Sequence, residues 1–359
     1  MAKNDSIRFG AITHKNLSIQ CLRGLAALSV ALFHASVHSG LHFGDSGWAT
    51  AFDGRFGLIG VSIFFAISGL LMADLIQRTD PWRFLAHRVV RIYPTYFFAA
   101  FPIIAFRGMR NLAPDGFSLM LVPVGERIYY LGVEWTLVFE CTYYVALFLI
   151  GLIGWSRYLN MIALVWIAAI GAGPLFIGWT ENHFCSFYSI WLSPANAAFA
   201  GGLLIPWMAS KIRIPIGTGI LALCIFMVAV PANPVIAHWA AGAAATLLVL
   251  DVLRIKVPPH AMLGLPILGD WSYALYLCHV PCILVVYRLL PASSGVGAAW
   301  LCAVAAAIIV SVGFGMLDVK MYRYFRNAVD NASEERRRRS VTIYVGTFII
   351  ASLVGVMIT

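Results

Sequence analysis

The sequence predicts an all-α fold, a polytopic transmembrane helical bundle of about ten core helices plus an eleventh at the C-terminal end. Three observations predict it. The 359 residues are 61% hydrophobic and 11% charged, against about 45–50% apolar and about 25% charged in a soluble domain, which excludes a water-soluble protein. Apolar runs recur along the chain at the length of about 20 residues that a helix needs to cross a ~30 Å hydrocarbon core. The 25 Lys and Arg are unevenly shared between alternate loops, as the positive-inside rule requires of a membrane protein. Eleven spans use roughly 220 residues and leave no room for a sizeable water-facing domain.

Windows of about 19 residues place helices at 17–38, 56–77, 88–107, 129–153, 158–178, 187–209, 212–231, 234–253, 268–289, 296–318 and 341–358. The chain divides into a cytoplasmic N-terminal segment (1–16), a membrane domain (17–320), a basic cytoplasmic loop (321–340) and a C-terminal transmembrane helix (341–359). The first sixteen residues are polar. The apolar run after them carries Arg23 and lacks a small-residue cleavage site, so it reads as an uncleaved first helix. With the N-terminus inside, 19 Lys and Arg fall on inner segments and 5 on outer ones, Arg23 lying just within the first helix. The net charge of +9 is therefore a matter of topology and anionic lipid, not of nucleic acid. The run Arg336 to Arg339 fits stop-transfer and lipid contact.

Seven cysteines, odd in number and mostly inside apolar runs, argue against a disulfide framework. No Cys and His cluster has zinc spacing. The informative residues are the polar ones inside spans, where an ionisable group costs about 2.5–3.5 kcal/mol and generally faces a cavity or a partner.

In the first helix Arg23 and His34 are eleven residues apart. Eleven steps of 100° return to within about 20° of the start, so both project from one face, roughly 16 Å apart along the axis. Arg23 fits either an interfacial snorkelling residue or the mouth of a groove. His38 follows His34 at i+4, with no suitably placed third metal ligand. Arg88 and Arg91, at the start of the third helix, share a face; they fit positive-inside charge or, as two forked guanidinium groups, a phosphate-bearing cytoplasmic ligand.

The fourth helix carries Glu134, Trp135 and Glu140. Glu140 lies near mid-membrane with no charge adjacent in sequence, and His34 is its natural partner, since a carboxylate can fix an imidazole's tautomer and stabilise its protonated form. Glu134 reads as an ordinary interfacial carboxylate. In the ninth helix Ser272, Tyr276 and His279 fall at i, i+4 and i+7 on one face, a stripe that serves either a groove or helix packing. His238 reads as packing. A buried Glu and His suit a membrane enzyme or a proton-coupled transporter of an amphipathic solute or glycolipid. The lack of a repeat between the two halves weakens the transporter reading, and a non-catalytic scaffold leaves the charged groove unexplained.

Five patterns occur in one order: Arg23-Gly24 with His34 following the Arg after ten intervening residues; Gly60-Val61-Ser62-Ile63-Phe64-Phe65-Ala66-Ile67-Ser68-Gly69; Arg88-x-x-Arg91-Ile92-x-Pro94; Trp135-x-Leu137-x-x-Glu140; and Ser272-Tyr273-x-x-Tyr276-x-x-His279. In these the chain resembles the acyltransferase 3 family of integral-membrane acyltransferases, from about residue 17 to 320. The resemblance implies a ten-helix core that takes an acyl group, commonly acetyl, from acyl-coenzyme A to a hydroxyl of a cell-envelope carbohydrate such as exopolysaccharide or lipopolysaccharide O-antigen. It implies a bacterial cytoplasmic (inner) membrane protein with acyl-coenzyme A as donor substrate, no bound cofactor or metal, and a carbohydrate or lipid-linked glycan as acceptor. His34 then matches the catalytic histidine and Glu140 the motif acid. Arg23, Arg88 and Arg91 match donor-handling arginines, and Trp135, Ser272, Tyr276 and His279 become candidates for the acceptor side or groove. Thr136 replaces the Ser more usual after the motif Trp.

Overall fold

In a computed structural model, described for residues 16–358 except 45–46, 110–112, 126, 128, 174–185, 256–264 and 292–293, the chain forms an all-α bundle. Its helices are α1 (Leu17–Phe43), α2 (Gly54–Arg78), α3 (Pro81–Gly108), α4 (Gly116–Met120), α5 (Glu134–Leu152), α6 (Leu159–Ala172), α7 (Asn196–Lys211), α8 (Thr218–Val228), α9 (Pro234–Arg254), α10 (Leu265–Asp270), α11 (Ser272–Leu289), α12 (Val296–Asn331) and α13 (Glu334–Ile358). Eight described spans are long and apolar enough to cross a membrane: α1, α2, α3, α5, the segment Trp155–Ala172 that contains α6, α9, α11 and α12. The protein is an integral membrane protein. The other expected spans correspond to α7, to the eleven-residue α8 and to α13. Cys185 and the junction between the fifth and sixth expected helices lie outside the described residues, as do residues 1–15.

Local chemistry sets the starts. The side chains of Asn16, Asp53, Asp80 and Asn233 accept hydrogen bonds from the first backbone N–H groups of α1, α2, α3 and α9, satisfying donors that a helix leaves orphaned. Pro81 and Pro234 follow two of these caps, where a missing N–H costs nothing.

The bundle is built around α1 and α2. α1 packs against α2, α9, α10, α11 and α12, and α2 continues onto α5, α7 and α9. Small residues allow the closest crossings. A Cβ on Gly69 of α2 would collide with the backbone of α7 at Phe199, and one on Gly202 of α7 with the backbone of α2 at Ala66. Gly24 of α1 and Gly269 of α10 make the same kind of seat. Between helices in lipid, such backbone approach supplies the dispersion contacts that the hydrophobic effect cannot.

One expected boundary is corrected. The segment 321–340, expected as a loop, is helical on both sides of a break at Ala332 and Ser333. α12 has 36 residues, about 54 Å of helix against a ~30 Å hydrocarbon core, so its basic end stands beyond the membrane. Charge marks a segment as leaving lipid; it does not stop a helix, because Lys, Arg and Glu are good helix formers. Asp330 braces this projection against α3, accepting from Arg83 Nη2 at 2.7 Å and lying 2.8 Å from His87 Nε2.

Candidate active site

Five helices meet around a partly open cavity of about 860 Å³, a volume that includes the solvent space at its mouth. α1 contributes Arg23, α2 Phe64 and Ser68, α3 Arg88 and Arg91, α5 Thr136, Glu140 and Tyr144, and α11 Tyr273 and Tyr276. Arg23, Arg88, Arg91, Glu140 and Tyr276, picked out by sequence from four separate helices, are thus brought together on one wall system. The helical spacings are responsible: Arg88 and Arg91 share a face of α3, and Tyr273 and Tyr276 a face of α11, three residues apart in each case.

The three arginines differ in their bonding. Arg91 Nη1 donates to both carboxylate oxygens of Asp318 at 2.9 Å, and the Thr95 hydroxyl donates to the same group at 2.7 Å. The Arg91 guanidinium also lies over the rings of Tyr273 and Tyr322, at 4.8 and 5.2 Å. Asp318 is fully buried, and the sequence reading missed it. The signal was present: Asp318 is the only acid from 296 to 329. Arg88 stands differently. Its Nε is buried with no hydrogen-bond partner among the described residues, and its guanidinium lies 6.0 Å from the centre of the Tyr144 ring.

Glu140 lines the cavity with Arg23, Arg88, Arg91 and Ser68 and feels the charges of the three arginines. Its expected pairing with His34 is corrected. The carboxylate belongs to the arginine wall, because three cations facing one cavity supply far more attraction than one neutral imidazole. Glu134 is also not an interfacial carboxylate. It is fully buried and accepts from the backbone N–H groups of Tyr130, Leu131 and Val133 at 2.7, 2.6 and 3.0 Å, which shapes the chain entering α5. Trp135 beside it packs edge-on to Phe65 and Phe139.

His34 finds its partner on α11. Its Nδ1 lies 2.9 Å from the Val30 carbonyl oxygen and 3.1 Å from Nε2 of His279. His279 is fully buried, and its own Nδ1 lies 3.0 Å from the Leu275 carbonyl oxygen. The ring of His38 stacks on His34 with centroids 6.2 Å apart. Neither histidine is among the cavity-lining residues; Tyr276 links the two regions. Its hydroxyl is 2.7 Å from Thr136 Oγ1, and its ring lines the cavity while lying 5.8 Å from Phe64 and 5.9 Å from His279. Ser272 is fully buried and its hydroxyl has no partner among the described residues; it is not among the cavity-lining residues. His238 bonds the Pro234 carbonyl within α9.

An acyltransferase-domain family, Acyl_transf_3, matches residues 16–316, which takes in all five helices of the cavity and both histidines. The chain belongs to this family. The acyltransferase is 28% identical over 313 residues to the exopolysaccharide production protein ExoZ of Rhizobium meliloti (strain 1021), a match covering 80% of this chain and 92% of that protein. No solved structure matches the chain. The family supplies the activity and the fold its setting: this is a membrane acyltransferase whose charged cavity lies inside the matched region.

Proposed function

We propose that the protein transfers an acyl group, in the first instance acetyl, from acyl-coenzyme A to a hydroxyl of an exopolysaccharide or its lipid-linked precursor. The supporting observation is the cavity itself. Three guanidinium groups face it, and one of them, Arg88, keeps a buried Nε without a partner among the described residues. A buried donor left unpaired costs about 1–3 kcal/mol, more when charged, and the phosphates of coenzyme A are the acceptors such a group suits. The acceptor class rests on the printed name of the relative. The inner-membrane setting and inward N-terminus rest on the 19-to-5 distribution of basic residues; the cavity's arginines then open toward the cytosol, where acyl-coenzyme A is made.

In this reading Arg23 and Arg88 hold the donor phosphates, and Arg91 offers its remaining N–H groups from the clasp of Asp318. Glu140 keeps the three cations together before the donor arrives. The thioester extends past Tyr276 to His34. His34 removes the proton of the acceptor hydroxyl as the oxygen bonds to the acyl carbon, the carbon–sulfur bond breaks, and the proton passes to the departing thiolate. Acyl-coenzyme A is a substrate, and the reading needs no resident cofactor.

The test is acetyl-coenzyme A consumption by purified protein in detergent, with and without exopolysaccharide oligosaccharides, alongside mass spectrometry of envelope polysaccharide from cells with and without the protein. Acceptor-dependent thiol release and an O-acetyl mass difference are expected. Solute movement without thiol release would favour a proton-coupled carrier in its place.

A further inference from the structure

The geometry points to His279 as the positioning residue of the transfer reaction, the neutral group that fixes the His34 tautomer and shares the proton His34 takes. The inference deepens the acyl-transfer reading above and rests on it. With both rings neutral, the hydrogen-bond chain has only one consistent arrangement of protons. A carbonyl oxygen only accepts, so Leu275, 3.0 Å from His279 Nδ1, requires the His279 proton on Nδ1. The lone pair of that neutral ring is then on Nε2, and it faces His34 Nδ1 at 3.1 Å. His34 Nδ1 also faces the Val30 carbonyl at 2.9 Å. With two acceptors before it, His34 Nδ1 carries the hydrogen. The lone pair of His34 is left on Nε2, the atom free to act as base.

A base of this kind is usually backed by a carboxylate, whose charge offsets the imidazolium. Here the carboxylate of the motif, Glu140, is held among the arginines, and a second imidazole takes the place behind the base. His279 is a competent partner because of its burial: with no water to compete, its Nε2 is the group that can strengthen a bond to His34 Nδ1 as charge develops. The step balances. The acceptor O–H proton moves to His34 Nε2 while its oxygen bonds the acyl carbon; the Nδ1 hydrogen moves toward His279 Nε2 and returns; the carbon–sulfur bond breaks; and the Nε2 proton goes to the thiolate sulfur. His279 neither gains nor loses a proton over the cycle.

The contact is through Nε2, while the bond to Leu275 is through Nδ1, and this asymmetry gives a test. In His279→Gln the amide reaches the position of Nε2; in His279→Asn it reaches only that of Nδ1. Turnover is to be measured as thiol release from acetyl-coenzyme A by protein in nanodiscs, with oligosaccharides from the exopolysaccharide of a strain lacking the gene. His279→Ala is expected to lower kcat about 10–100-fold, part of the roughly 10²–10⁴-fold that a positioned base contributes, with the donor KM unchanged within twofold. His279→Gln is expected to recover much of the loss and His279→Asn little. A structural role reverses that order, because Asn preserves the bond to Leu275. Asn restoring turnover as well as Gln, an unaltered kcat in His279→Ala, or a loss confined to donor KM would each overturn the inference. His34→Ala serves as the control on the reading beneath it: if that variant turns over normally, the acyl-transfer assignment of His34 fails; if it is inactive while the His279 series is flat, the pair alone fails.

Discussion

The arginine wall of the cavity and the histidine pair beyond Tyr276 solve opposite electrostatic problems. At the wall, Arg23, Arg88 and Arg91 are gathered with Glu140 and Asp318, so full charges balance one another and leave an excess of cation. At the pair, two imidazoles are joined to each other and to two backbone carbonyls, with no carboxylate in their hydrogen bonds among the described residues. Under the acyl-transfer reading proposed above, the difference teaches a division of labour. Recognition of a polyanionic donor needs permanent charge near an aqueous opening. Proton transfer needs a neutral base held in a single tautomer, away from cations that would disfavour its protonation.

The comparison breaks first at the base. His34→Ala is expected to remove roughly 10²–10⁴-fold of turnover while leaving the donor KM near its original value, read as thiol release from acetyl-coenzyme A; near-normal turnover would place the chemistry elsewhere. The wall breaks next at its buried ion pair. Arg91→Ala is expected to destabilise the protein by about 3–5 kcal/mol, since it leaves the fully buried Asp318 carboxylate without its cation, and Asp318→Ala by less, since Arg91 still faces the cavity beside Glu140. The double variant is expected to cost clearly less than the sum of the two, a non-additivity that thermal unfolding in detergent measures. Purely additive losses would mean that the two residues do not act as a unit.

Arg88→Ala sharpens the contrast. Removing a charged hydrogen-bond donor worth about 1.5–3 kcal/mol is expected to raise the donor KM roughly 10–100-fold with little effect on kcat, the reverse of the His34 pattern. The smallest effect belongs outside both regions. Arg338, exposed on α13 over Trp82 and paired with Glu334, is expected to change stability by less than about 0.5 kcal/mol when replaced by Ala and to leave turnover unaltered. A large kinetic effect there would extend the donor site to the projecting end of the bundle.

Much of this was legible in the sequence, and the parts that were not share a cause. Apolar window length placed every span that the described structure contains as a helix, because in lipid the backbone has no alternative that satisfies its own hydrogen bonds. Helical spacing put Arg88 and Arg91 on one face of their helix, and both line the cavity. Spacing on one helix, however, says which face a residue occupies and nothing about what a helix two hundred residues away brings to it. His34 and His279 are 245 positions apart, and Arg91 and Asp318 are 227 apart. Glu140 was matched to His34 on chemistry alone, and the packing of α3 against α12 and α5 gave it arginines in place of the histidine. Glu134 was misjudged for a related reason: three backbone N–H groups from its own approach loop compensate its burial, and no side-chain pattern announces them.

The central claim is that donor recognition resides in the arginine wall and is separate from the histidine pair. Equilibrium binding of a non-hydrolysable thioether analogue of acetyl-coenzyme A to nanodisc-embedded protein tests it without any acceptor. The account predicts that Arg88→Ala raises the Kd roughly 10–100-fold and that His34→Ala leaves it unchanged. Unaltered binding by Arg88→Ala, or a loss of binding in His34→Ala equal to that in Arg88→Ala, would contradict it.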